Sequence, residues 1–173
     1  NSTILELPKD LSGKKQAVAL GVDKAKHDYI VLTDADCTHP TTWLKAISSQ
    51  LEYSGSSMVI GPVMLSPSRS LFQKFQALEH SSLQASTLGA CGIGLPFMAS
   101  SANLAFSKGK LGFESKMLNM DRPSGDDVFL LHNAKIKFGS KVVSCVHSMG
   151  AMVYTKPADS IMHFFNQRAR WAS

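Results

Sequence analysis

The chain has 173 residues, 44% of them hydrophobic and 18% charged, proportions of a globular domain that exclude a disordered or fibrous chain. No run approaches the roughly 20 consecutive apolar residues of a membrane span, and the formal charge of +5 is spread over scattered lysines, without the basic block that marks a nucleic-acid binder. Cys37, Cys91 and Cys145 are widely spaced with no C-x-x-C pair, which argues against a disulfide framework and a zinc site and favours a reducing compartment.

In chain order, a polar loop over residues 12–15 precedes AVALGVDKA, whose small apolar residues at three- and four-residue spacing predict a short helix. Residues 29–33 read as a buried strand. After Pro40, favoured in a first helical turn, Leu44, Ile47 and Leu51 share one face of a helix that ends near Gly55. Residues 58–65 form a second β-rich run, interrupted by Gly61-Pro62, and Leu71, Phe75 and Leu78 mark a longer helix reaching Thr87. A Gly-rich loop over 89–96 leads to a short strand at 103–106 and a polar loop as far as Gly125. A helix from Asp127 to Asn133, short strands at 141–145 and 152–155, and a helix from Ser160 complete the chain. Alternating strands and helices argue for an α/β layered fold.

The strand at 29–33 runs into Asp34-Ala35-Asp36. In an extended segment residues i and i+2 project to the same side, which points both carboxylates out of the strand's carboxyl end. Two anions about 4 Å apart repel by roughly 1–4 kcal/mol at effective dielectric constants of about 80 to 20, so the pair needs a cation, a shared proton or ample water. Hard oxygen ligands suit Mg²⁺ or Mn²⁺, and open α/β sheets hold ligands beyond the carboxyl ends of their strands. The plain alternative is a turn in which one aspartate caps the next helix and the other is solvated.

An apolar strand followed by D-x-D-x-T, here Asp34, Asp36 and Thr38, resembles the haloacid-dehalogenase-like phosphatases, which carry a later acidic motif; Gly125-Asp126-Asp127 is a candidate. In those enzymes that motif ends an apolar strand, whereas here it follows LNMDRPS and precedes the helical VFLLHNA. Near the end of the chain Gln167, Arg170 and Trp171 spell Q-x-x-R-W, with Gln167 and Arg170 on one helical face. Alone this is an amphipathic helix end with basic residues where the dipole favours them. Taken in order, the D-x-D after a strand, SANLAFS around Asn103, Gly112-Phe113, the acidic pair and Q-x-x-R-W resemble the family 2 glycosyltransferases, particularly the processive, membrane-associated synthase type.

That resemblance implies a GT-A (Rossmann-like) three-layer α/β sandwich with a mixed, mainly parallel sheet, one catalytic domain over residues 1–173 that is incomplete at its amino-terminal end. It implies inverting transfer of a sugar from a UDP- or GDP-sugar to a glycan or lipid acceptor, with Mg²⁺ or Mn²⁺. Asp34 would lie against the donor, Asp36 would hold the metal, and Lys14 of the Gly13-Lys14 segment would sit near the donor. Asp127 matches the general base. Asp126, Asn103 and Trp171 would face the acceptor, while Gln167 and Arg170 would reach the diphosphate, which suits a guanidinium fork. Structurally, Asp126 and Asp127 also suit the first turn of a helix, and Trp171 a core or membrane-facing anchor. Two positions depart from the family: Ala19 stands where many members carry asparagine, and Ser101 replaces the usual glycine before Ala102-Asn103. Synthase-type relatives continue into membrane spans, which implies a domain held at the cytoplasmic side of a membrane by segments outside this sequence.

Overall fold

A computed structural model describes residues 2–68, 70–122 and 124–172. Its helices are α1 (Lys14–Lys24), α2 (Trp43–Ser54), α3 (Leu71–Gly92), α4 (Lys108–Leu111), α5 (Asp126–Phe138) and α6 (Ile161–Ala172). The strands are β1 (Tyr29–Leu32), β2 (Met58–Ile60), β3 (Val63–Leu65), β4 (Leu104–Ser107), β5 (Val143–Cys145) and β6 (Val153–Thr155).

The main sheet has the order β1-β4-β2-β5, and β3 pairs with β6 in a second, two-stranded sheet. The sheet is mixed, as expected, but its parallel share is smaller. Strand β4 runs antiparallel to both β1 and β2, leaving β2–β5 and β3–β6 as the parallel pairs. Alternation along the central strands makes the three layers. Met58, Ile60, Leu104 and Phe106 face a core shared with α1, α3 and α5, whereas Val59 and Ala105 face a smaller one built on Ile47 and Leu51 of α2.

Gly61-Pro62 divides the 58–65 run between two sheets, since Pro62 lacks the N–H that a continuing ladder would use. Helix α2 ends where predicted: Gly55 takes φ 65°, a left-handed conformation that glycine adopts without a Cβ penalty. Elsewhere the helices are longer than the sequence suggests. α1 begins at Lys14, inside the expected loop; α3 runs on to Gly92; α5 reaches Phe138; and the expected polar loop before Gly125 contains α4 and a 3-10 turn over Ser115–Leu118.

The orientation of α3 reverses the sequence expectation. Leu71, Phe75 and Leu78 are exposed, and the face turned inward carries Gln76 and His80. The reason is hydrogen bonding. The His80 Nε2–H donates to the Val63 carbonyl (3.1 Å), Gln84 accepts from the Val63 N–H (3.0 Å), and Gln76 exchanges two bonds with the Ala158 backbone (both 2.9 Å). Backbone groups that the two-stranded sheet leaves unpaired would be costly to bury, so α3 presents polar side chains to them. Leu44 of α2 is likewise exposed, while Ile47 and Leu51 are buried.

The cysteine expectation is also corrected. Cys91 and Cys145 form a disulfide with their Cα atoms 6.2 Å apart. Their separation of 54 residues concealed the pairing, because the end of α3 meets β5 only through the larger core.

Candidate active site

The D-x-D lies just past the carboxyl end of β1, but in a turn and not in the extended form expected: the Cys37 N–H donates to the Asp34 carbonyl (3.1 Å). The turn brings one ligand atom each from Asp34, Asp36 and Cys37 within 4.8 Å of one another. Strand β6 holds the turn in place. Thr38 and Tyr154 exchange backbone bonds of 2.8 and 3.0 Å, and the Thr155 hydroxyl donates to Asp36 Oδ2 (3.3 Å). Burial, together with the Asp34 and Asp36 charges, raises the Cys37 thiol above the usual cysteine range.

Lys14 joins this turn to the acidic pair. Its ammonium donates to Asp34 Oδ1 (2.7 Å) and to Ser101 Oγ (2.6 Å), and the Ser101 N–H donates to Asp127 Oδ2 (2.9 Å). Burial works against the Lys14 charge, but Asp34, followed by Asp126 and Asp127, more than offsets it, and the pKa lies above the ordinary lysine value. Ser101 thus serves both ends, through its hydroxyl and its backbone.

The acidic pair opens α5. Gly125 at φ 79° turns the chain into the helix, and Asp127 Oδ1 accepts the Val128 N–H (2.8 Å), leaving its half-buried carboxylate oriented by two backbone donors. A helix start differs from the strand end that a phosphatase-type acidic motif occupies. Asp126 is only 6% exposed, and its Oδ2 has no hydrogen-bond partner, which leaves little surface for an acceptor. Burial first, and the neighbouring Asp127 second, raise its pKa above the usual aspartate range.

This raised value has a testable consequence. The folded chain holds the Asp126 proton more tightly than the unfolded chain, so the contribution of this group is favourable at low pH and is lost as pH rises through the folded-state pKa. Asp126→Asn is expected to stabilise the fold at neutral pH by about 1–2 kcal/mol, since it removes the ionised form of a poorly hydrogen-bonded buried group. Denaturant titrations at falling pH should show that gain shrink.

Asn103 departs from its expected place at the acceptor. It is fully buried, with Nδ2–H groups donating to the Pro62 and Ala151 carbonyls (both 2.8 Å) and Oδ1 accepting from Trp43 Nε1 (2.9 Å). It ties β4 to α2 and to the β6 side of the molecule, so its role is structural. At the other end, Ser124 Oγ donates to the Arg170 carbonyl (2.9 Å), which brings the end of α6 to the segment that leads into the acidic pair. Gln167 accepts from Arg168 Nη1 (3.0 Å), and Trp171 remains 51% exposed beside the His80 ring.

Arg168 carries no motif yet fastens α6 to α3. It forms an ion pair with Glu79 and lies over the rings of Phe164 and Trp171, 4.6 and 4.2 Å from their centroids. The only sequence signal is the i, i+3 and i, i+4 spacing of the three residues.

The model of the glycosyl transferase family 2 matches residues 1–108, more than half of the sequence. The chain belongs to glycosyl transferase family 2. The glycosyltransferase match takes in Lys14, Asp34, Asp36 and Ser101, and ends before the acidic pair and Q-x-x-R-W. Among solved structures, glucosyl-3-phosphoglycerate synthase from Mycobacterium tuberculosis, in complex with phosphoglyceric acid, is similar with a TM-score of 0.51 and 16% identity. The similarity covers 95% of this chain and 53% of that one, so this sequence spans about half the length of that enzyme. At that identity the likeness speaks for the fold, a mixed-sheet GT-A architecture. No curated protein matches. No helix among the described residues is long and apolar enough to cross a membrane.

GT-A enzymes commonly use a divalent metal. The donor chemistry here fits one: two carboxylates converge on a common point, Asp36 is exposed, and the partner of Asp34 is an ammonium that an incoming cation can displace.

Proposed function

We propose that this family 2 domain transfers a sugar, with inversion, from a nucleotide-diphosphate donor to a hydroxyl of a glycan or lipid acceptor. The observation that carries the reading is the bonded path Asp34–Lys14–Ser101–Asp127, which unites the D-x-D turn and the acidic pair in one site. Asp34 and Lys14 bind the donor. Asp36 holds Mg²⁺ or Mn²⁺, which when bound stabilises the charge of the departing nucleoside diphosphate as a Lewis acid.

Asp127 takes the proton from the acceptor hydroxyl as that oxygen attacks the anomeric carbon. Its carboxylate needs no search for orientation, because the Ser101 and Val128 N–H groups fix it. In this reading Gln167 and Arg170 of α6 bind the diphosphate, and Trp171 packs on the acceptor sugar.

A panel of UDP- and GDP-sugars, each supplied with Mn²⁺ and glycan or glycolipid acceptors, tests the reading. Release of nucleoside diphosphate that depends on acceptor, with an inverted product anomer, is the expected result. Release of inorganic phosphate alone, or a retained anomer, would overturn it.

A further inference from the structure

We propose that Lys15 is a positioning residue for transfer: its buried ammonium clamps the segment from Asn119 to Phe129 onto α1 and so holds the Asp127 carboxylate in its working orientation. The inference rests on the base role of Asp127 given above. Neighbouring residues of a helix point about 100° apart, so the two lysines that open α1 diverge. Lys14 reaches Asp127 through Ser101, whereas Lys15 turns inward and is only 5% exposed. A lysine is almost never buried to that degree without partners, and the partners of Lys15 bracket the acidic pair. Its Nζ donates to the carbonyl of Asn119 (2.8 Å), ahead of the pair, and lies 4.8 Å from the ring centroid of Phe129, just beyond it.

Each held end governs a turn that leads to the pair. Asn119 is the only non-glycine residue with a positive φ among the described residues, 53°, and its carbonyl also accepts the Arg122 N–H (3.2 Å). A left-handed conformation costs free energy for a residue with a Cβ, so it persists where its surroundings hold it. At the other end the Phe129 ring packs against Gly125, where an added Cβ would come within 3.3 Å of it, and Gly125 turns the chain into α5. A cation over a ring face contributes about 0.5–2 kcal/mol, more where water is kept away. Charge serves the same end. Burial pushes the Lys15 ammonium below the ordinary lysine range, and Asp126 and Asp127 oppose that shift. The attraction is mutual, so Lys15 favours the ionised form of the pair. Lys14 acts on the pair in the same sense, Arg122 works against the charge of Lys15, and α6 meets this segment through the Arg170 carbonyl on Ser124.

The test combines amide hydrogen exchange with kinetics on the full chain. Lys15→Met removes the charge and keeps a long side chain that suits a helix. In that variant the Ser101 and Val128 N–H groups, both bonded to Asp127, should exchange about tenfold faster, while the amides of β2 and β4 keep their protection. With the donors and acceptors of the transfer panel, kcat should fall about 10–100-fold at an unchanged donor KM. The acid limb of its pH profile should move to higher pH, because the base loses a neighbouring positive charge. Phe129→Leu, which takes away the ring and leaves the ammonium, should loosen the same two amides to a smaller degree, and it decides the clamp if Lys15→Met does not fold. Unchanged exchange at Ser101 and Val128 would overturn the positioning role. So would exchange that rises throughout the chain with a fallen unfolding midpoint, which marks an ordinary core contact. Faster exchange at both amides with undiminished transfer would overturn the base role of Asp127 and, with it, any part for Lys15 in the chemistry. If the unsubstituted chain transfers no sugar, the transferase reading fails and the exchange measurement still decides the clamp.

Discussion

Asp127→Asn is expected to lower the turnover of sugar transfer by about 10²–10⁴-fold, the usual worth of a positioned general base, with the donor KM nearly unchanged. The side chain keeps its shape and loses its ability to take a proton. Its surroundings make the experiment more demanding than a simple charge deletion. Both carboxylate oxygens accept backbone N–H groups, from Ser101 and from Val128. Asparagine offers one oxygen, so one of those N–H donors would meet an amide NH₂, at a cost of about 1–3 kcal/mol.

Stability and catalysis therefore have to be measured on the same variant. If the loss came only from disordering the start of α5, the unfolding midpoint would fall and the donor KM would rise in step with the loss of turnover. If Asp127 is the base, turnover collapses in a protein that still folds and still binds nucleotide. Undiminished transfer by a folded Asp127→Asn chain would remove the base assignment.

The features legible in the sequence are those written in adjacent residues. The strand expected over residues 29–33 is β1, Tyr29–Leu32, though it lies at the sheet edge with Tyr29 exposed and not buried as expected; Gly55 closed α2, and the split at Gly61-Pro62 followed from a missing N–H. The D-x-D and the acidic pair were found because their spacing is short. What stayed hidden depends on partners far away in the chain. Leu71, Phe75 and Leu78 look like a buried stripe, yet they face out, because Val63 and Ala158 need hydrogen bonds that only Gln76, His80 and Gln84 supply. Asn103 looks like a ligand-binding amide until Trp43, Pro62 and Ala151 are seen to use both its ends. Ser101 read as a departure from a glycine, and only the fold shows its hydroxyl on Lys14 and its N–H on Asp127.

The position of Lys14 leads to an expected result in which two quantities move in opposite directions. Its ammonium touches Asp34 and lies in the field of Asp126 and Asp127, so it is the counter-charge of the carboxylates gathered here. Lys14→Met leaves Asp34 without its cation, and a divalent ion no longer has to displace an ammonium from Oδ1. Both partners are more than a third exposed, so solvent screening holds the worth of the pair to about 1 kcal/mol. Mn²⁺ affinity should accordingly rise about fivefold in Lys14→Met. Transfer should fall by about tenfold or more, because the diphosphate loses a positive partner and Ser101 loses the ammonium that fixes its hydroxyl, together about 1.4 kcal/mol or more of transition-state stabilisation. Asp34→Asn combined with Lys14→Met closes the cycle: once Asp34 is uncharged, removing Lys14 should no longer tighten Mn²⁺ binding. Weaker Mn²⁺ binding in Lys14→Met alone would show that Lys14 supports the ion site and does not compete for it, contrary to the reading of Asp34 as a shared ligand.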